Sequence, residues 1–367
     1  MDNDEILKAY LRKRKNEKAA DWTLKGIKDV LIRFMAFLNG REITENLVCG
    51  YIDHINEHKF MKKGKQAKYS KHSIYHIESI LRKFLIYVNP DFGKLITPKM
   101  PKNRKLPKNM LGQEDIEKLI NACLTNRDRA LISFLYESGV RKGELLSIRI
   151  ENINFDEYGA VVTIPDGKTG SRRIRVVFSA SFLRQWIDTH PKKGDQEAFL
   201  FCSLTSPYGV LSFTGLRDRL DTLANRAGIG KEIYPHLFRH SRATHLAKHL
   251  TEQELKVYLG WTPGSNMAAT YVHLSGEDID PSILRMHGII VEGAHADSLK
   301  VGQCPRCKEI QDKKAQFCFK CGLPLTTEFK EIIETGTNKV TELVLQLQKA
   351  DQKILNDLLE ALKVARS

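Results

Sequence analysis

A mainly α fold with a small antiparallel β-sheet, an α+β arrangement spread over several domains, is what the sequence predicts. Three observations lead there. Apolar residues recur at spacings of three and four through most of the chain, the signature of amphipathic helices. One central stretch breaks that rhythm with two β-branched runs around a glycine-rich turn. With 367 residues, the chain is also longer than one domain usually is.

The first element, residues 1–92, reads as a helical bundle. Leu24, Ile27, Leu31, Phe34 and Leu38 form one apolar stripe, and Ile74, Ile77, Leu81, Phe84, Leu85 and Val88 form another. Between them lies the basic stretch 61–72, either a charged edge of the bundle or a solvated loop. Residues 93–109 follow as a basic linker. Pro98, Pro101 and Pro107 block helix and sheet pairing there, and the lysines would suit a strap along a phosphate backbone.

A second domain, residues 110–290, opens with helices. Glu114 and Asp115 suit a helix N-terminus, and 130–136 reads as a buried helix. Residues 159–178 read as a β-hairpin, with Lys168 at its tip. Helical patterns resume from about 213 to 286. Residues 300–325 hold two Cys-x-x-Cys pairs. A terminal helix over 336–366 carries Val340, Leu343, Leu347, Ala350, Ile354, Leu358 and Ala361 on one stripe. It either pairs as a coiled coil or docks on the body; Asp351 and Asp357 beside the seam favour neither.

Composition narrows the function. A hydrophobic fraction of 42% and a charged fraction of 28% are those of a globular chain and argue against disorder. The net charge of +14 points to a polyanionic partner, nucleic acid before a membrane surface. Asp2, Asp4 and Glu5 precede any apolar run, so the start does not read as a secretory signal, and no run approaches a membrane span. The expected setting is cytoplasmic, in association with the nucleoid.

Cys304, Cys307, Cys318 and Cys321 carry the most specific local motif. Two Cys-x-x-Cys knuckles ten residues apart read as a zinc ribbon: thiolates suit tetrahedral Zn²⁺, and so small a module lacks the core to fold without it. Free thiols or disulfides are the alternative, disfavoured in a cytosolic chain. With four cysteine ligands no coordination position remains for water, so the expected Zn²⁺ is structural and a zinc nuclease is disfavoured.

The remaining chemistry lies in an ordered constellation. Arg141 sits in a Gly-x-Arg-x-x-Glu setting closed by Glu144. Lys168 sits at the hairpin tip. His236 and Arg239 form a His-x-x-Arg pair, Trp261 follows Leu259 and Gly260, and Tyr271 lies ten residues later. Singly each is a weak signal; six in order form a strong one.

In these motifs the chain resembles the tyrosine recombinase, or phage integrase, family. The resemblance covers roughly residues 10–285, strongly over 115–280, and implies a helical core-binding domain and a catalytic domain clamped on double-stranded DNA. It implies that Arg141 and Arg239 grip the scissile phosphate in fork geometry. His236 would hydrogen-bond the phosphate and accept the tyrosine proton, Lys168 would protonate the leaving 5′ oxygen, and Trp261 would pack the site and donate its indole N–H. Tyr271 would attack, leaving a 3′-phosphotyrosyl link whose retained energy makes ATP and a catalytic metal unnecessary. It also implies a homotetramer on DNA, for which 281–290 is the candidate exchanged segment. Glu144 would hold a cationic partner.

Within the constellation some choices stay open. Tyr258 is an alternative nucleophile in an apolar setting; Arg172, Arg173 and Arg175 crowd the hairpin around Lys168; His240, Arg242 and His245 read as packing and surface residues, with Arg242 also a candidate contact to the DNA backbone. Trp261 stands where a histidine is more usual. The ribbon and the run after Tyr271 resemble integrases of archaeal type. The expected task is integration or excision of a mobile element, or resolution of chromosome dimers. A type IB topoisomerase-like enzyme and a catalytically inactive DNA-binding protein are the alternatives.

Overall fold

The computed structural model describes residues 2–62, 65–101, 106–107, 109–167, 170–272, 299, 301–313 and 315–364. It divides into two compact units, 1–105 and 106–367.

The first unit packs four helices: α1 (Asn3–Asn16), α2 (Asp21–Leu38), α3 (Glu45–Glu57) and α4 (Lys71–Val88). The Thr44 and Ser70 hydroxyls accept from backbone N–H groups in the first turns of α3 and α4, satisfying donors a helix start leaves open. Phe34, Leu38, Leu81, Phe84 and Leu85 are fully buried at its centre. The basic stretch is partly strand rather than loop: β1 (Lys59–Lys62) pairs antiparallel with β2 (Lys65–Lys68), setting Lys59 against Lys68 and Lys62 against Lys65. Packing also runs past residue 92. Phe92–Leu95 forms a 3₁₀ turn and Ile96 enters the bundle core, so the expected start of the linker at 93 lies too early.

In the second unit, α5 (Gln113–Asn121), α6 (Asn126–Ser138) and α7 (Lys142–Ser147) precede a three-stranded antiparallel sheet. Its strands are β3 (Ile153–Asp156), β4 (Gly159–Gly167) and β5 (Gly170–Val176), so the expected hairpin gains a third strand. Helix α8 (Ala180–Asp188) follows directly, earlier than the expected resumption of helix near 213. The Glu137 carboxylate of α6 accepts from the backbone N–H groups of Val177, Phe178 and Ser179, and so ties the sheet's exit to α6. Among the described residues, four more helices follow: α9 (Phe213–Arg226), α10 (Pro235–Leu246), α11 (Glu252–Leu259) and α12 (Met267–Val272).

Beyond the body, β6 (Val301–Gln303) and β7 (Ile310–Asp312) form a small hairpin. It docks on α8 through an Arg184–Glu309 ion pair at 2.9 Å, while Leu299 and Val301 pack on the main core. Helix α13 (Thr327–Val364) ends the fold. It begins nine residues before the expected 336, because Thr335, Gly336 and Thr337 are weak helix formers that mask its first turns in the sequence. Among the described residues, no helix is long and apolar enough to cross a membrane.

Candidate active site

Two helix ends organise the site. Helix α6 stops at Gly139 (φ +58°) and α11 at Gly260 (φ +62°), both left-handed, a conformation glycine adopts without a Cβ clash. A helix C-terminus leaves carbonyls without intrahelical donors. Here arginines supply them. Arg239, in α10, donates Nη1 to Gly139 O at 2.8 Å and Nη2 to Leu259 O at 2.6 Å. Arg141, at the N-cap of α7, donates Nη2 to Gly260 O at 2.8 Å. Arg172, on β5, donates Nε to Tyr258 O at 3.1 Å. Gly260 is required sterically as well: a Cβ there would lie 2.7 Å from Arg172 Nη1.

Glu144 binds two of these cations together. Its carboxylate accepts from Arg141 Nη1 at 2.6 Å and from both Arg172 Nη atoms at 3.0 and 2.9 Å. Burial alone would raise its pKa, but the hydrogen bonds from Arg172 and Arg141 outweigh it and hold the carboxyl at about 2. The sequence anticipated a cationic partner for Glu144; the structure gives it two. Arg172 was not singled out from its neighbours. Strand alternation carries the signal: Arg172 shares a face with Ile174 and Val176, both buried, whereas Arg173 and Arg175 lie on the other.

Arg239 is 2% exposed. Burial, and then the nearby Arg141 charge, lower its pKa to about 9, which still leaves it charged at neutral pH. Its guanidinium lies 5.3 Å from the Trp261 ring centroid. Trp261 in turn stacks on Tyr271, with centroids 5.5 Å apart and planes 12° from parallel. Tyr271, on α12, is 1% exposed, and burial raises its pKa to about 12, partly offset by Arg239.

The Tyr271 hydroxyl lies 2.5 Å from Nδ1 of His240. His240 read as a packing residue in the sequence; the structure places it against the candidate nucleophile. The missed signal is its i, i+4 spacing from His236, which sets both rings on one face of α10. The rings meet edge to face at 4.5 Å. Burial, then His236 and Arg239, lower the His240 pKa to about 4, so the ring is neutral near pH 7. The His236 pKa is also lowered, by burial and then by Arg239 and Arg141. Beside His236 and Arg141 opens a cavity of about 440 Å³, also lined by Lys142, Phe213 and Tyr234.

The structure therefore gathers Arg141, His236, Arg239, Trp261 and Tyr271 around α10 and the two helix ends. Lys168 lies outside the described residues, as does the segment 281–290. Tyr258 stands apart from the histidines: its hydroxyl donates to the carbonyls of Glu137 and Arg175. His245 meets the Tyr136 hydroxyl at 3.0 Å, and Arg242 lies over the Tyr136 ring.

The four paired cysteines converge separately, all four Sγ atoms lying within 4.8 Å of one another. Cys304 and Cys321 are 3.6 Å apart and Cys307 and Cys318 3.5 Å, close to the ~3.8 Å edge of a tetrahedron with Zn–S bonds of ~2.3 Å. The donor set fits a structural metal ion.

Comparison with known proteins places this geometry. The model of the Phage integrase family matches residues 109–277. The chain is 29% identical over 307 residues to a tyrosine recombinase XerC of Staphylococcus aureus strain MRSA252, covering 77% of this chain and 96% of the relative. It is 28% identical to the XerC of Anoxybacillus flavithermus, covering 65% and 81%. In fold it is similar to the Tn1549 transposon integrase in complex with transposon right end DNA, with TM-score 0.58 and 14% identity over 78% of this chain and 100% of that one. It is likewise similar to a lambda integrase dimer bound to a COC′ core site, with TM-score 0.54 and 16% identity over 74% and 77%.

Proposed function

We propose a reaction for this chain from one premise: it belongs to the phage integrase family and is a site-specific tyrosine recombinase, an enzyme that cuts and rejoins DNA. The observation that carries the reaction is a buried tyrosine, Tyr271, with its hydroxyl on a neutral histidine and the fixed Arg239 guanidinium nearby.

Duplex DNA is the substrate, drawn by the basic surplus of the chain. Arg141 and Arg239 hold the non-bridging oxygens of the scissile phosphate, where negative charge builds in the transition state. Arg239 is aimed beforehand by two carbonyls and Arg141 by a carbonyl and Glu144, so little reorganisation accompanies the step. The Tyr271 oxygen bonds to phosphorus, and the bond from phosphorus to the 5′ oxygen breaks. The phenolic proton passes to Nδ1 of His240, which frees His236 to donate to the phosphate. Lys168 supplies a proton to the leaving 5′ oxygen. The product is a 3′-phosphotyrosyl link and a 5′ hydroxyl, and attack by a second 5′ hydroxyl reverses the step on a new partner strand. Synapsis of two DNA segments calls for a homotetramer. The task is integration or excision of a mobile element, or resolution of chromosome dimers. Descent from an archaeal-type integrase rests on the ribbon motif and on a run after Tyr271 outside the described residues.

Cys304, Cys307, Cys318 and Cys321 would hold one Zn²⁺, which would tie the two knuckles together and supply no catalytic step. Elemental analysis should find about one zinc per chain, and Cys318→Ser should abolish it; metal-free protein with an unchanged melting curve would contradict this assignment.

The reaction is tested by mixing the protein with a nicked suicide duplex from candidate attachment sites. A protein–DNA band that survives denaturation, forms in chelator without ATP, and vanishes in Tyr271→Phe is the expected result. Persistence of the band in the variant would assign the chemistry to another residue.

A further inference from the structure

Helix α13 has the opposite character to the rest of the second unit. It spans 38 residues, about 57 Å at ~1.5 Å per residue. Residues 331–349 are exposed throughout, and Val340 and Leu347 are 61% and 64% exposed. At its start Phe329 packs on Phe317 of the ribbon, with centroids 4.7 Å apart. A helical stretch exposed on every side, as 331–349 is, draws little stability from propensity alone, and Gly336 weakens this one further.

We propose that α13 is a self-association surface whose occupant is α13 of a second copy of this chain, forming a two-stranded coiled coil. Ile333, Val340, Leu347 and Ile354 recur at intervals of seven residues, with Leu343 three residues after Val340. The seven-residue repeat matches one row of a left-handed supercoil seam, with β-branched residues at three of its four positions as in two-stranded coils; in the row three residues on, Leu343 and Ala350 are apolar and Gly336 and Asp357 are not, which centres the seam on 340–350. The same stripe on a second copy is self-complementary in this register.

Charge argues against the other large partners of a basic protein. Along Thr327–Val364 seven acidic residues stand against five basic ones, in a chain whose net charge is +14. A polar face of mixed charge, slightly acidic, offers DNA phosphates and anionic lipid no basic surplus, whereas membrane-surface helices are rich in lysine and arginine there. Area is sufficient as well. With Ile333, Val340, Leu343, Val344, Leu347 and Ile354 each about half exposed, two copies would cover roughly 1,000 Å², where specific interfaces begin. The surface is independent of the reaction proposed above, and it would link chains before they meet DNA.

The test is the mass of the full-length protein in solution without DNA, by light scattering across micromolar concentrations. Wild type should weigh twice the 41.9 kDa chain. Val340→Glu with Leu347→Glu should halve that mass with the helical circular dichroism of the body intact, and Gln348→Glu, outside the seam, should leave it doubled. Because charge in the seam could also melt the helix, a photo-reactive benzophenone side chain placed at Leu347 gives a second readout: a cross-linked species of doubled mass, absent when the probe sits at Gln348. A monomeric wild type, a double variant that stays dimeric, or equal cross-linking at both positions would each overturn the proposal.

Discussion

The α10–α12 region and helix α13 break the ordinary rule of burial in opposite senses. Around α10 the polar and charged side chains Arg239, Glu144 and Tyr271 are buried. Along α13 the apolar side chains Val340, Leu343 and Leu347 are exposed. A buried charge is costly unless hydrogen-bonded, and an exposed apolar stripe is costly unless covered. In the first region the compensation is present within one chain: helix-end carbonyls and Glu144 satisfy the guanidiniums. In the second, no described residue of the same chain covers residues 331–349, and a second copy is proposed above to do so. The difference separates a cluster whose described charges are satisfied within one copy from a stripe that, on the proposal above, a second copy covers.

Breaking the first compensation should have the largest effect. Arg239→Lys removes the fork that spans Gly139 O and Leu259 O, and a single ammonium cannot reach both and still meet phosphate. Single-turnover cleavage of a suicide duplex should fall by ~10²–10³-fold. A fall under tenfold would show that Arg239 is a packing residue.

A smaller effect is expected at His240. His240→Gln keeps a polar group near Tyr271 but no longer accepts a proton, and cleavage should slow by roughly 10–100-fold. The wild-type rate should also lose activity as pH falls toward about 4, where His240 becomes charged. A variant with the same rate and the same acid limb as wild type would remove His240 from the reaction.

The smallest effect is one of stability. The folded pKa of Glu144, about 2, lies below its ordinary value of 4.5. Its stabilisation is therefore fully present above pH ~4.5 and is lost as pH falls toward 2. Allowing for solvent screening, Glu144→Gln should cost on the order of 1–2 kcal/mol at pH 7 in urea unfolding, with the gap closing below pH 3. A pH-independent gap would mean that the carboxylate charge contributes nothing.

Much of this was legible in the sequence where spacing fixes chemistry. The stripes at 24–38 and 74–88 became α2 and α4, and the two β-branched runs became β4 and β5. Arg141, His236, Arg239, Trp261 and Tyr271 stood out by order and spacing, and the cysteines by their two knuckles. What stayed hidden depends on tertiary partners. Nothing local tells His240 that Tyr271 will lie 2.5 Å away, and Arg172 among three hairpin arginines is distinguished by the buried face of β5. The β1–β2 hairpin is built from lysine-rich segments with weak strand preference, so its pairing has no sequence signature.

The most direct measurement is mass spectrometry of the trapped covalent complex after digestion of protein and DNA. The account predicts a nucleotide attached to the peptide that contains Tyr271, on its phenolic oxygen and through a 3′ phosphate. A nucleotide on Tyr258 or any other residue, or a 5′ linkage, would contradict it.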